Sequence, residues 1–555
     1  MSIVMPMNPS SHHAGSTMLY CFLPWLRFCK RVRWALCVLV GMWAMGGAWA
    51  AGLPALGESS PLSAAEERAL GDSIVRSLYR DPDYLDDPVL GDYVEGLWQA
   101  LLAAARSRGD IPTELDERFA WKILLGRDRS VNAFALPGGY LGVHLGLLSV
   151  VETRDELASV LAHELSHITQ RHISRLIAQE RRNAPWLLAG VVLGAVAASR
   201  SPDAGNALMV GSQALVAQGQ LNFSRDMERE ADRMGLGMMT QAGFDGQGTV
   251  SMFEKLQQAT RLNDSGTYPY LRSHPLTTER IADMQARVGF PVHGAAKGNP
   301  DLVHGLMAAR ARVLADHTSR DVLYGWSKGP DDAGPTAHPV DRQAPAWYAA
   351  VLSASLLQEP ALARRHLERL RSVLAGQGDA VQQILGYLEV DIALTAHDRT
   401  PAQRLALGHL VGLPAGSAPA GGMADAAHSR AALALQAQLV RTGAQRSDVE
   451  GVLRRLYAWV GTNKDDAGAW QWIAWLQQGL SRPLQAARAE AESCWARFDE
   501  QGALDRLRSA QDYVRSNAAQ LGPGDLVEAA IIDTRKRDIE ERLRQRAPEQ
   551  GGRNP

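Results

Sequence analysis

The chain has 555 residues, 46% of them hydrophobic, and its 58 Lys and Arg against 60 Asp and Glu leave a formal charge of -2. That length suggests two to four domains with real cores. A pI near 6.7 excludes a global electrostatic pull toward nucleic acid or anionic lipid, so any partner must be recognised locally.

The first fifty residues stand apart. Arg27, Lys30, Arg31 and Arg33 precede an apolar run from Trp34 to Gly47, which ends in Ala48-Trp49-Ala50 before Ala51. This order predicts a secretory signal peptide cleaved near Ala50/Ala51, with Met18 an alternative start. An apolar core of about 14 residues is shorter than the roughly 20 a membrane-spanning helix needs. Cys21, Cys29 and Cys37 would leave with the signal, so Cys494 alone remains and no intramolecular disulfide is expected.

Residues Glu66 to Arg106 carry apolar side chains at helical spacing and predict two helices. Strands are expected next, at Phe119 to Gly126, at Val131 to Leu136 and, after the turn Pro137-Gly138-Gly139, at Tyr140 to Leu145. A small antiparallel sheet follows from that reading. Helical patterning resumes at Arg154 and is expected to run unbroken to about Arg182, before Asn183-Ala184-Pro185. Trp186 to Ala198 is almost wholly apolar, and its 13 residues suit a buried or surface-associated helix better than a span. Two further helices are expected between Asn206 and Gly243. Gly, Pro and Asp cluster at Lys328 to Pro345 and again at Pro414 to Gly422, marking linkers. The remainder is helical in pattern. Ala469-Trp470, Ala474, Gly479, Ala486-Ala487 and Gly502-Ala503 partly match the small-residue spacing of tetratricopeptide repeats; an irregular helical domain is the alternative.

The chemistry concentrates in His163-Glu164-Leu165-Ser166-His167. Four residues apart on a helix, His163 and His167 lie about 40° apart around the axis, so both imidazoles can reach one ion. Glu164 beside them is placed to take a proton from metal-bound water, the role the H-E-x-x-H pattern assigns. Leu157, Val160, Leu161, Leu165 and Ile168 form a neighbouring apolar stripe for the core. His172, five residues beyond His167, would point about 140° away on a continuous helix and is not expected to ligate. A catalytic zinc needs a third protein ligand, and the segment Ser224 to Asp232 offers one. Glu228 and Asp232 share a helix face, whereas Glu230 points away by roughly 160°. Glu228 can therefore ligate while Asp232 accepts a hydrogen bond from a ligand histidine.

HELSH, followed 61 residues after His167 by the ExxxD of Glu228 to Asp232 and then by Ser273-His274-Pro275 with Arg280-Ile281, resembles the HtpX and CAAX-prenyl-endopeptidase group of gluzincin metalloproteases. Its exported branch with C-terminal tetratricopeptide repeats is more similar still. The motif resemblance spans roughly Asn132 to Ile281; beyond that it is architectural. It implies an α+β zincin-type protease domain with a small sheet, followed by an all-α helical-repeat domain. It further implies one zinc ion per chain held by His163, His167 and Glu228, with Glu164 as the base. By the same resemblance His274 approaches the metal, either as a fourth ligand that holds the enzyme latent or as a group that polarises the scissile carbonyl; a plain structural histidine is the third reading. Asn132, Ala133, Phe134 and Ala135 match an edge strand that pairs with extended substrate.

The expected organisation is a signal peptide at 1–50, a metalloprotease domain at 51–295, a helical connection and linker at 296–345, repeats at 346–546 and a disordered tail at 547–555. The expected function is hydrolysis of misfolded or stalled exported proteins in the periplasm. Partners would be unfolded or misassembled substrates and, through the repeats, the outer-membrane assembly machinery, with no nucleic acid and at most peripheral membrane contact. The rival reading is a periplasmic repeat adaptor or chaperone with a structural or latent zinc site.

Overall fold

A computed structural model describes residues 62–178, 225–261, 267–289, 301–330, 339–396, 400, 403, 405–413, 429–441 and 444–551. The signal peptide, the apolar stretch Trp186 to Ala198 and the linker at Pro414 to Gly422 lie outside these residues.

Helix α1 (Ala64–Leu78) opens on a capping box in which the Ser63 hydroxyl takes the Glu66 N–H and the Glu66 carboxylate takes the Ser63 N–H. Helix α2 (Pro88–Arg108) starts with Asp87 as N-cap and proline in its first turn, and it stops at Gly109 with φ 76°. Strand β1 (Tyr84–Leu85) precedes α2, and α3 (Thr113–Arg118) leads into β2 (Lys122–Gly126), β3 (Ala133–Leu136) and β4 (Tyr140–His144).

These strands form one four-stranded sheet in the order β1-β2-β4-β3. Strands β3 and β4 pair antiparallel, as expected, and β1, which falls inside the stretch read as two helices, pairs antiparallel with β2, but β2 and β4 run parallel, Lys122 opposite Tyr140 through Gly126 opposite His144. The sheet is mixed because the chain skips a position after β2 and returns through Pro137-Gly138-Gly139, with Gly138 at φ 76° and Gly139 at φ 85°, to lay β4 into the gap. Strand β3 is thereby left at the edge. Phe134 pairs with Gly142, where a Cβ would lie 2.3 Å from the Phe134 ring.

After α4 (Leu145–Val150), Thr153 caps α5 (Arg154–Thr169) by accepting the Glu156 N–H. The helix expected to continue to Arg182 ends at Thr169. Arg171 adopts φ 52°, and helix resumes at 172–178. Helices α6 (Arg225–Gln241) and α7 (Gln247–Arg261) pack on α5, followed by the short α8 (Tyr270–Ser273) and by α9 (Thr278–Val288). Helix α6 approaches α5 closely at Gly235, where an added Cβ would sit 3.0 Å from the His163 nitrogen, and α7 does so at Gly248, where one would sit 2.4 Å from the Asp155 carbonyl carbon.

The chain then becomes wholly helical among the described residues, apart from short connections. Helices α10 (Leu302–Ala315), α11 (Arg320–Ser327), α12 (Val340–Leu356), α13 (Pro360–Val373) and α14 (Asp379–Thr395) come first. They are followed by α15 (Arg430–Val440), α16 (Arg446–Thr462), α17 (Ala467–Gly479), α18 (Pro483–Ala496), α19 (Glu500–Ser516) and α20 (Pro523–Gly551). Sequential neighbours stack, α12 on α13, α17 on α18 and α18 on α19. Helix α12 begins inside the stretch read as linker, and α20 runs past residue 546.

One continuous core reaches from Ala64 to Leu439, so the helical region is packed against the sheet-bearing part through α2. Charges reinforce that seam. Buried Arg310 grips Asp87 with two bonds of 2.9 and 2.7 Å and Asp391 at 2.8 Å. Arg430 joins Asp86 at 2.7 Å to Asp466 at 2.8 Å. Among the described residues no helix is long and apolar enough to cross a membrane.

Candidate metal centre

Helix α5 buries its apolar stripe with Leu157, Leu161 and Leu165 wholly inaccessible and Ile168 nearly so, which fixes the rotation of the motif about the axis. His163 and His167 then face α6 from inside the protein rather than from its surface. Their Nε2 atoms are 3.0 Å apart. Glu228, delivered by α6, brings Oε2 to 3.5 Å from His163 Nε2 and Oε1 to 3.6 Å from His167 Nε2. His274, at the C-terminal end of α8, places Nδ1 3.0 Å from Glu228 Oε1 and 3.4 Å from His163 Nε2. One ligand atom from each of these four buried residues lies within 4.8 Å of all the others. Four tetrahedral ligands at zinc bond lengths of 2.0 to 2.1 Å stand about 3.3 Å apart, so the donor set and its spacing fit a zinc ion.

The spacing of Glu228 and Asp232 works as their shared helix face requires. Asp232 Oδ1 meets His163 Nδ1 at 3.0 Å and fixes which ring nitrogen faces the cluster. Arg280, in the first turn of α9, holds Asp232 with two bonds of 2.7 and 2.8 Å and touches Glu228 Oε2 at 2.8 Å. Its position near the Ser-His-Pro segment was visible in the sequence, but its role was not, because an arginine 48 residues from its carboxylate carries no periodic signal. Tyr270 was also missed: its ring stacks on His274 with centroids 4.7 Å apart.

Glu164 is fully buried, and the Ala135 N–H of edge strand β3 donates to its Oε2 at 2.9 Å. Its Oε1 accepts no hydrogen bond from the described residues and lies 3.4 Å from His274 Nε2. An acceptor buried without a donor is costly unless a ligand or substrate supplies one. Of the other edge-strand candidates, Asn132 gives its carbonyl to the His144 N–H and lies just before β3, Ala133 opens the strand opposite Val143, and Phe134 covers Gly142. Because residues of an antiparallel edge alternate in which way their backbone groups point, Ala133 shares with Ala135 the side turned from β4.

Burial and charge set the protonation landscape. Burial pulls His163 down, but the hydrogen bonds and charges of Asp232 and Glu228 outweigh it and raise its pKa. Burial, with the neighbouring His163 and His274, drives His167 well below its usual range. Burial pushes Glu228 and Asp232 up, yet the histidines hold Glu228 far down, and Arg280 with His163 holds Asp232 down. Glu164 goes the other way, raised by desolvation despite the charges of His274 and His163. A pair of imidazoles with an anionic oxygen is a hard-to-borderline donor set that suits a divalent ion.

A sequence model described as peptidase family M48 matches residues 99–288. The chain is 30% identical over 505 residues to a β-barrel assembly-enhancing protease of Escherichia coli O157:H7, covering 89% of this chain and 92% of that one. It is 35% identical over 271 residues to a putative β-barrel assembly-enhancing protease of Vibrio cholerae, covering 48% and 53% of the two chains. A mitochondrial metalloendopeptidase, OMA1 of Saccharomyces cerevisiae, is 30% identical over 197 residues, covering 34% of this chain and 54% of the relative.

Proposed function

Since the chain belongs to peptidase family M48 and is a metalloendopeptidase, we propose that it is a periplasmic zinc enzyme that cleaves misfolded or stalled exported proteins in outer-membrane quality control. One observation carries the reading: His163, His167, Glu228 and His274 converge on a point that Glu164 adjoins, and Glu164 is in turn tied to β3, the edge strand of the sheet among the described residues. Full-length similarity to a β-barrel assembly-enhancing protease supports the substrate class.

In this reading His163, His167 and Glu228 hold one zinc ion, with Asp232 orienting His163. Zinc held there supplies Lewis acidity, lowering the pKa of water and polarising a carbonyl. Glu164 takes the proton of the attacking water through Oε1 and delivers it to the leaving amine, while the Ala135 N–H keeps Oε2 in place. The outward side of β3 receives the substrate backbone as an added strand. His274 acts as a latch: its burial among Glu164, Glu228 and His163 leaves it where substrate or water must enter. The approach to it also pairs with the chain just before β3, Thr267 accepting the Val131 N–H at 2.8 Å. The stacked C-terminal helices serve as tetratricopeptide-like repeats that recruit substrate or the assembly machinery.

Purified Glu164→Gln chain should retain stoichiometric zinc and lose degradation of an unfolded outer-membrane β-barrel protein. Normal cleavage by that variant refutes the mechanism. Because a latched site is compatible with an adaptor, the second reading is a repeat chaperone, and full rescue of a deletion phenotype by Glu164→Gln would favour it.

A further inference from the structure

His172 is spaced to face away from the metal, yet the structure turns it back. Helix α5 ends at Thr169, and Arg171 takes φ 52°, a left-handed conformation unfavourable for a residue with a Cβ. What holds it is buried Glu67 of α1, which accepts the Arg171 Nε at 3.0 Å, together with the Leu62 carbonyl, which accepts Arg171 Nη2. The reversal lays the fully buried His172 ring against His167, with centroids 4.8 Å apart. His172 Nδ1 then lies 2.8 Å from His167 Nδ1, and His172 Nε2 lies 3.1 Å from Glu230 Oε2. Arg175 pins the same carboxylate oxygen at 2.9 Å.

Tautomer logic orders this chain. His167 Nε2 faces His163 and Glu228, so in the metal-centre reading, on which this inference rests, it is the ligating atom and Nδ1 carries the proton. Nδ1–H can only donate, so His172 Nδ1 must accept. The His172 proton is then on Nε2, where it donates to Glu230. Each link leaves one arrangement, running from an anionic carboxylate through two neutral rings to the metal-facing nitrogen. His163 has the same support in shorter form from Asp232.

We propose that His172 is a positioning residue for the metal centre, which passes the orienting hydrogen bond of Glu230 to His167, and that the Glu67–Arg171 pair is the device that puts it there. A hydrogen-bond partner of a metal-bound imidazole fixes the ring and raises its basicity. This explains why a strained left-handed arginine follows the metal-binding helix, and why Glu230, turned away from Glu228 on α6, is nonetheless connected to the site.

The test is zinc affinity of the full chain, measured by competition with a chromophoric chelator. His172→Leu keeps an apolar body without an acceptor and should weaken zinc binding about 10- to 100-fold, whereas His172→Asn, whose side-chain oxygen takes the place of Nδ1 and keeps the acceptor for His167 while giving up the bond to Glu230, should recover a clear part of that loss. The visible spectrum of the cobalt-substituted protein should change in His172→Leu and be restored in His172→Asn. Parent-like affinity in His172→Leu, or equal losses in both variants, overturns the assignment. If His172→Leu does not fold, Glu230→Ala at the half-exposed end of the chain decides, a several-fold loss supporting the link and an unchanged affinity overturning it. His167→Ala must itself lower affinity strongly; if it does not, the metal-centre reading fails rather than this inference.

Discussion

Replacing Gly235 by alanine should loosen the metal centre, while the same replacement at Gly237, on the same helix, should not. Gly235 shares the face of α6 that carries Glu228 and Asp232. A Cβ built on it lies 3.0 Å from the His163 nitrogen and 3.1 Å from the Ala162 carbonyl carbon and oxygen, all of them backbone atoms that cannot rotate aside. Restoring ordinary contact requires α6 to retreat by about 0.3 to 0.4 Å. The Asp232–His163 hydrogen bond, 3.0 Å long, would stretch beyond the favoured range. Overpacking of this kind costs about 1 to 3 kcal/mol, offset by about 1 kcal/mol of helix propensity. At Gly237 the Cβ meets the guanidinium tip of Arg108 at 2.7 Å, a long side chain that can swing away, so only the propensity gain of about 1 kcal/mol remains. The two variants should therefore differ by about 1 to 3 kcal/mol in urea unfolding at fixed zinc, with zinc affinity reduced about tenfold in Gly235→Ala alone. Indistinguishable unfolding curves and zinc affinities for the two would refute the packing argument.

His274→Ala should raise basal cleavage of an unfolded β-barrel protein with zinc still bound; unchanged or lost activity would count against a latch. Ala135→Pro removes the N–H that Glu164 Oε2 accepts without deleting a β3–β4 hydrogen bond, so cleavage should fall about 100-fold while zinc remains, and parent-like turnover would disprove the link between edge strand and base. Asp466→Asn tests the seam between the helical region and α2. Burial pushes Asp466 up, but Arg430 and the Ala469 N–H outweigh it and set its folded pKa below the ordinary 3.8. The stability from that carboxylate is thus present above pH 3.8 and lost as pH falls through the lower folded value. The variant should lose about 1 to 3 kcal/mol at pH 7, with the gap to the parent closing as pH drops below 3.8; a gap that does not change with pH would sink the assignment.

Much of the centre was legible because its grammar is local. His163 with His167, and Glu228 with Asp232, are each four residues apart, and helical periodicity alone states that each pair shares a face. Which two faces meet was carried by the family resemblance, since 61 residues of intervening chain set no distance. The apolar stripe of α5 and the Pro-Gly-Gly turn into β4 were readable for the same local reason. The parallel pairing of β2 with β4 was not, because alternation reports which side of a strand is buried and says nothing about which strand lies beside it.

The least legible residue was His172. Its sequence position was read correctly on the assumption that the helix continued, and the assumption failed at Arg171, where no glycine or proline announces a break. A left-handed arginine exists there only because Glu67, 104 residues earlier, and the Leu62 carbonyl hold its side chain. By itself, then, the sequence determined which residues share a helix face, His163 with His167 and Glu228 with Asp232, and the helical character of the C-terminal half, all properties of periodicity within one segment. Only the tertiary structure decided what surrounds those side chains, namely Arg280 on Asp232 and His172 with Glu230 beside His167. The Arg280–Asp232 and His172–Glu230 bonds join residues 48 and 58 positions apart, and their energy comes from burial that no single segment possesses.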